Sequence, residues 1–395
     1  MDKQEFFHDT VVIHLAGDVG PRRVEYGEEP ESLFAMAHKK IKEADISFCH
    51  LERILSTRGC MQHRDRPTWY GRHHPDNVKS LVFAGFNVVS HAANNCFDYG
   101  PEALLDTLEI LKINNIQVTG AGKDIQEARQ PAIIEKKGVK VGFLSFCSVM
   151  AEEYEAREEK PGCTPIRVST FYEVQDPQPG NPPKIITIPL EDDVKAMEED
   201  IQKLRNKVDV LIVSQHWGTH QYGVISMYQP VVGHRAIDAG ADLIVGHHSG
   251  LIHHIEQYKG KFIFYALGNF ALETPHHLKP PPGAFSKRIS STHIKWDVEP
   301  GWERYPGPRE RRYVIMVRCT IRDGTIQKIS FLPVYINQRA EPEFLTSADT
   351  RFHEVFNYTD KMCKELGTNL TVKGDEVIVY DSSGGKRYEV NGIKD

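Results

Sequence analysis

Six places in the sequence set an acid, an amide or an imidazole directly after a short apolar run. Val11–Ala16 runs into Gly17 and Asp18, Ile46–Cys49 into His50, Leu51 and Glu52, and Phe86–Ser90 into the stretch His91 to Cys96, which contains Asn94 and Asn95. Val208–Ser214 runs into Gln215, His216 and Trp217, Asp242–Val245 into Gly246, His247 and His248, and Lys261–Leu267 into Gly268 and Asn269. Any one of these residues alone reads as a turn former or a core group satisfied by hydrogen bonds. Together, carboxylate, amide and imidazole donors suit a divalent ion of intermediate hardness such as Mn²⁺, Zn²⁺ or Fe²⁺. Such an ion polarises an electrophile and acidifies water near neutral pH.

The apolar runs that carry these residues are rich in β-branched side chains and alternate with helical patterns, which predicts an α/β sheet covered by helices. Over 190–207, Val194, Met197, Ile201 and Leu204 fall at spacings of 3, 4 and 3 on one helical face. Segment 101–112 opens with Pro101 after Gly100, and Leu104, Leu105, Leu108 and Leu111 form its apolar stripe. Open α/β sheets place ligands at the carboxyl ends of their strands, where all six polar clusters lie. The Pro- and Gly-rich stretches 174–184 and 279–308 read as surface loops, the second long enough to be a lid. Residues 311–336, centred on Asp323-Gly324, predict a hairpin that closes a sheet. Residues 1–340 are expected to form one domain, with 341–395 adding a helix and a charged tail packed on it.

Composition narrows the function classes. With 395 residues, 40% hydrophobic and 26% charged, the chain can bury a large core. A net charge of −6 supplies no basic field for a phosphate backbone, so a small molecule is the expected partner and nucleic acid is not. The seven cysteines, Cys49, Cys60, Cys96, Cys147, Cys163, Cys319 and Cys363, are odd in number and show no C-x-x-C pair. That argues against a disulfide framework or zinc ribbon and for a reducing compartment. The opening MDKQEFFHDT has no basic stretch followed by an apolar one, and no run nears the ~18 apolar residues of a membrane span, so a cytoplasmic protein with no membrane partner is expected. The oligomeric state is left open, with a homodimer as one option.

The motifs GDVG (17–20), LERILSTRG (51–59), ANNCFDYG (93–100), HWG (216–218), DAGADLIVGHH (238–248) and YALGNF (265–270) occur in one order over residues 11–271. In this the chain resembles the CapA (poly-gamma-glutamate, or capsule, synthesis) family of the calcineurin-like metallophosphatase superfamily. The resemblance implies a four-layer α-β-β-α sandwich of two mixed sheets flanked by helices. Position by position it makes Asp18 the first acidic metal ligand, Glu52 the bridging carboxylate, Asn95 the amide ligand, and His216 and His248 the imidazole ligands. The sequence departs from the family pattern at four places: His50 stands where Asn is usual, Cys96 for His, His220 for Glu, and Gly250 for the second His of H-x-H. One of the superfamily's two metal positions is thereby short of ligands, which speaks against ordinary phosphoester cleavage. Asp18, His50, Cys96 and His220 are the candidate catalytic residues, with His50, Cys96 and His220 able to rebuild a second metal position or to act as general acid or base. Histidines 253, 254, 276 and 277 read as surface or loop residues.

Four arginines, Arg22, Arg23, Arg53 and Arg72, lie near the motifs and could hold an anion by forked hydrogen bonds. The expectation is a metal-dependent hydrolase that cleaves an amide or ester bond in a small carboxylate substrate with metal-activated water. A lyase or aldol-type cleavage suits the same site, and a non-catalytic role in poly-gamma-glutamate or capsule synthesis is the alternative from another class.

Overall fold

A computed structural model describes residues 10–62, 71–174, 183–220, 223–273 and 299–384. Most of the expected lid, 279–298, lies outside the described residues, as do His276, His277 and the end of the charged tail. The fold is mixed α/β, two sheets flanked by helices, as the alternating runs predict. The first sheet has the order Thr371–Lys373, Glu376–Asp381, Thr325–Ile336, Tyr313–Arg322, Val11–Gly20, Ile46–Leu51, Val88–Ser90, Gln117–Thr119. From Val11–Gly20 onward its strands are parallel, while Tyr313–Arg322 joins the other edge of Val11–Gly20 antiparallel. The second sheet has the order Ile255–Tyr258, Lys261–Phe264, Leu243–His247, Val210–His216, Val139–Cys147, Ala132–Lys136, with a parallel centre and an antiparallel strand at each edge.

Strand Val210–His216 shows why the second sheet lies in the interior. Val210 and Ile212 join the core shared with the first sheet, whereas Leu211 and Val213 join the core under helices Glu191–Arg205 and Tyr228–Ala239. A strand apolar on both faces is what a sheet covered on both sides requires. Val194, Met197, Ile201 and Leu204, the predicted stripe, pack in that second core. Each such side chain contributes about 1.5–3 kcal/mol by leaving water. Between the sheets, Phe48 and Phe143 stack with ring centroids 5.5 Å apart and planes 6° from parallel.

The predicted hairpin is present, and both Asp323 and Gly324 have positive φ (53° and 67°), the conformation of a tight turn matched to strand twist. Three expectations need correction. The segment after Gly367 is not only a tail, because Thr371–Lys373 and Glu376–Asp381 extend the first sheet. The described end of the expected lid is packed: Trp302 and Tyr305 are buried. His253 and His254 do lie in a loop but are buried rather than at the surface, His254 with Nε2 3.0 Å from Glu365. No described helix is long and apolar enough to cross a membrane.

Candidate metal centre

Strand register builds the site. In the first sheet Asp18 stands beside His50, and His50 beside Ser90; in the second, His216 stands beside His247. The carboxyl ends of the parallel strands in both sheets therefore meet at one end of the sandwich. Asp18 lies within its strand rather than just after it, because Val19 and Gly20 are held in parallel pairing with Ala271 and Leu272. The pairing with the neighbouring strand slips between Leu15 and Asp18. A β-carbon on Gly17 would stand 1.9 Å from the Gly268 carbonyl, so only glycine lets the two segments approach; the Asp18 N–H donates to that carbonyl at 3.2 Å.

Asp18, His50, Glu52 and His216, all buried, bring one ligand atom each within 4.8 Å of one another. Glu52 is the hub. Its Oε1 accepts from Asn95 Nδ2 at 2.6 Å, and its Oε2 lies 3.4 Å from His50 Nε2 and 3.5 Å from His216 Nε2. His50 Nδ1 is fixed by Ser90 Oγ at 3.1 Å, which leaves Nε2 for the cluster. His216 Nε2 also faces Asn94 Oδ1 at 3.2 Å. Asp18 Oδ2 accepts the His248 backbone N–H at 3.1 Å, while its Oδ1 lies 3.5 Å from His247 Nδ1. His248 has φ +87°, a left-handed conformation that costs a non-glycine residue energy and marks functional positions. Its ring lies edge-on to His216, centroids 4.8 Å apart.

The electrostatics fit a cation. Burial and then the Glu52 charge push the Asp18 pKa well up, opposed by the His248 N–H and Arg53; burial likewise raises Glu52, opposed by Arg53 and His248. Burial holds His50, His216 and His247 far below the usual imidazole range, and lowers His248 to about 4, so these rings are neutral at pH 7. Asp18 Oδ1, Glu52 Oε2 and His50 Nε2 are buried without a hydrogen-bond partner. Buried carboxylates that press on each other beside neutral imidazoles are the donor set a divalent ion satisfies.

Not every residue expected here is brought together. His50 stands among the potential ligands, the first of the two roles the sequence left open to it. Cys96 is fully buried in an apolar cluster with Ala92, Ala93, Cys147 and Cys163, packed as a small apolar filler. Arg23 is committed elsewhere: its buried guanidinium lies 3.2 Å from Glu273, 3.0 Å from Glu341 and 3.1 Å from Glu28. Arg72 donates to the carbonyls of Arg58 and Gly59 and lies over the Tyr99 ring. Arg22 is buried with its backbone N–H bonded to Glu273. Of the four arginines, Arg53 alone has its charge felt by both Asp18 and Glu52. Reading by sequence alone passed over Asn94, Ser90 and His247, although Asn94 and His247 each adjoin a named candidate.

The family model for the bacterial capsule synthesis protein PGA_cap matches residues 12–274, which contain every residue of this centre. The PGA biosynthesis protein CapA of Bacillus subtilis (strain 168) is 31% identical over 199 residues, 50% of this chain and 46% of that protein. The capsule biosynthesis protein CapA of Bacillus anthracis is 28% identical over 202 residues, 50% of this chain and 43% of that one. A probable polyglutamine synthesis accessory protein of Mycobacterium tuberculosis is 32% identical over 241 residues, 60% and 57% of the two chains. The chain spans about half the length of the curated relatives it matches.

Proposed function

We propose, from the premise that this chain belongs to the bacterial capsule synthesis protein family PGA_cap, that it is a metal-dependent hydrolase of an amide or ester bond in a small carboxylate substrate. The observation that carries the reading is the convergence of Asp18, His50, Glu52 and His216, buried, neutral or acidic, with three of their ligand atoms otherwise unpartnered. These four would hold the ion, with Asn95 fixing Glu52 from one side and His248 flanking His216 from the other. A divalent ion bound there supplies Lewis acidity for a scissile carbonyl and for water. Asp18 keeps the left-handed turn at His248 in place through the backbone N–H. The His248 ring stays neutral at pH 7 and so puts no positive charge against the ion, and Arg53 offers positive charge to the substrate's anion. Mn²⁺, Zn²⁺ and Fe²⁺ all suit this mixture of oxygen and nitrogen donors. All seven cysteines are free, which favours a cytoplasmic setting. The lyase or aldol-type alternative uses the same residues.

A second reading comes from the names of the relatives, which describe biosynthesis and accessory proteins: a non-catalytic factor in poly-glutamate or capsule synthesis. One experiment separates the two. Metal content is measured by mass spectrometry after dialysis against Mn²⁺ or Zn²⁺, and the loaded protein is assayed on amides, esters, lactones and phosphoesters. The hydrolase reading expects tightly held metal, turnover of a carboxylate-bearing amide or ester, and negligible hydrolysis of p-nitrophenyl phosphate. No metal uptake would refute it, and metal uptake without turnover would favour the assembly role.

A further inference from the structure

Residues Val168–Glu173 and Lys184–Pro189 form a two-stranded antiparallel ribbon that pairs with neither main sheet. Residues 175–182 between them lie outside the described residues. Two strands alone are marginally stable in water, and a sheet needs three or more to stand by itself. One edge of the ribbon is closed. Thr187 Oγ1 accepts the backbone N–H of Tyr228 at the start of helix Tyr228–Ala239, and Pro189 on the same strand has no N–H to offer a further strand.

The other edge is open. The Leu190 N–H donates to the Arg167 carbonyl at 2.7 Å, and bonded and unbonded pairs alternate along an antiparallel ladder. Ser169 and Phe171 therefore bond across to Ile188 and Ile186. Thr170 and Tyr172 turn their N–H and C=O groups outward, where no described residue bonds them. Ser169 to Glu173 are all exposed.

The side chains are apolar where the edge is open. Phe171 (53% exposed), Tyr172 (70%), Val174 (77%), Ile185, Ile188 and Leu190 make up six of the sixteen large apolar side chains exposed among the described residues, so the exposure is concentrated here. Phe171 and Ile188 lie on one face of the ribbon, Tyr172 and Ile185 on the other. The two rings leave about 250 Å² open and the six side chains together about 500 Å², a patch of the size that marks interaction sites. Glu173 and Lys184 already match each other at 3.5 Å, so the ribbon has no net charge with which to select an oppositely charged partner.

We propose that this ribbon is the contact between two copies of the chain, joined antiparallel along Val168–Glu173 about a two-fold axis at Phe171 to give a four-stranded sheet. About that axis Thr170 stands opposite the partner's Tyr172, and each such pair exchanges two N–H···O=C bonds through the groups left open. Phe171 faces the partner's Phe171 on one side of the sheet. Glu173 meets the partner's Ser169, so no like charges are opposed. Covering the patch on both copies removes about 1,000 Å² from water, the size at which specific interfaces begin. Pairing of one edge with itself is isologous and closes at two copies, and the blocked edge at Thr187 and Pro189 prevents further growth. The proposal stands apart from the hydrolase reading, because no residue of the candidate metal centre takes part.

Sedimentation velocity of the full chain under reducing conditions, from about 1 to 50 μM, is expected to show twice the monomer mass of 44.9 kDa. Thr170→Pro removes an N–H that the ribbon itself does not use, and Tyr172→Glu sets a charge at the centre of the contact. Each is expected to weaken dimerisation by about tenfold or more with circular dichroism and metal content unchanged. Cross-linking tests the axis without disturbing the edge. Facing residues that share no hydrogen bond in an antiparallel pair have α-carbons about 4.5 Å apart, within reach of a disulfide. Phe171→Cys and the exposed control Ile113→Cys are compared in a Cys60→Ser background, since Cys60 is the exposed cysteine. With copper phenanthroline, Phe171→Cys should link into dimers about tenfold faster than Ile113→Cys or more. Wild type that stays monomeric across the range overturns the proposal, and binding of that monomer to phosphatidylglycerol vesicles would give the ribbon to a lipid surface instead. Dimers undiminished in both Thr170→Pro and Tyr172→Glu, or Phe171→Cys linking no faster than Ile113→Cys, would overturn it as well.

Discussion

Replacing Glu52 by Gln keeps the size of the side chain and removes the charge on which the candidate metal centre turns. Asn95, His50 and His216 all reach this carboxylate, between 2.6 and 3.5 Å, and no other residue of the cluster has as many partners. Its charge also raises the Asp18 pKa, so without a cation the two acids oppose each other in a buried site. The metal-free variant is therefore expected to melt no lower than metal-free wild type. Metal at a hundred times its dissociation constant stabilises a folded protein by about 2.7 kcal/mol. For 395 residues the unfolding entropy is about 0.8 kcal/mol/K, so wild type should gain about 3 °C. If Glu52→Gln weakens binding a hundredfold, the same concentration contributes about 0.4 kcal/mol and shifts the midpoint by about half a degree. Differential scanning calorimetry with and without Mn²⁺ or Zn²⁺ reads both numbers. Because the Asp18 and Glu52 pKa values are raised, protons compete with the metal, and the wild-type shift should grow as pH rises from 5.5 to 7.5. An equal shift and equal metal content in wild type and variant would refute the argument that Glu52 is the hub.

Three further outcomes are expected. Arg23→Met should destabilise the protein by about 3–5 kcal/mol, because it leaves Glu273 and Glu341 facing an uncharged side chain in a buried site, yet metal content measured below the new midpoint should be unchanged. His14 is fully buried and burial lowers its pKa from 6.5 to about 4, so its contribution to stability is complete above pH 6.5 and is lost as pH falls toward 4, up to roughly 3 kcal/mol. Urea titrations from pH 7 to 4 should show that decline in wild type and a flatter one in His14→Leu; identical slopes would exclude His14 as the source. Cys96→Ala should cost about 1–2 kcal/mol of stability through lost packing and leave metal content intact, whereas a folded variant without metal would restore Cys96 to the site.

The sequence is most legible where one physical requirement governs a segment. The strand ends that deliver Glu52, His216 and His248 are visible because a strand buried on both faces must stay apolar through the core and turns polar at its end; Asp18 is visible by the same change, although its strand runs on to Gly20. The hairpin at Asp323-Gly324 is visible because few residues accept positive φ. What depends on spatial neighbours is not visible. Arg23 and Arg53 look alike in sequence, and only the approach of Glu273 and Glu341, some 250 and more residues away, separates an ion-pair hub from an arginine acting on the metal centre. The turning of His50 Nε2 toward Glu52 depends on Ser90 in the next strand, and the approach of His220 to Gly250 on two separate loops. Burial of Cys96 among other thiols removes a candidate whose position in the motif recommended it.

The strand that carries Asp18 lies between Ile46–Leu51 and Tyr313–Arg322, with Val11 opposite Ile321. On the ribosome its first edge is covered almost at once, but its second stays open until about 300 more residues have been made, roughly 15–60 seconds of synthesis. Through that interval the nascent chain presents an apolar strand with unpaired backbone groups, the kind of edge that recruits other chains. The first motif to leave the ribosome is thus among the last to be set in place. Slowed translation, or truncation before residue 322, should accordingly harm yield by aggregation more than by loss of any single contact.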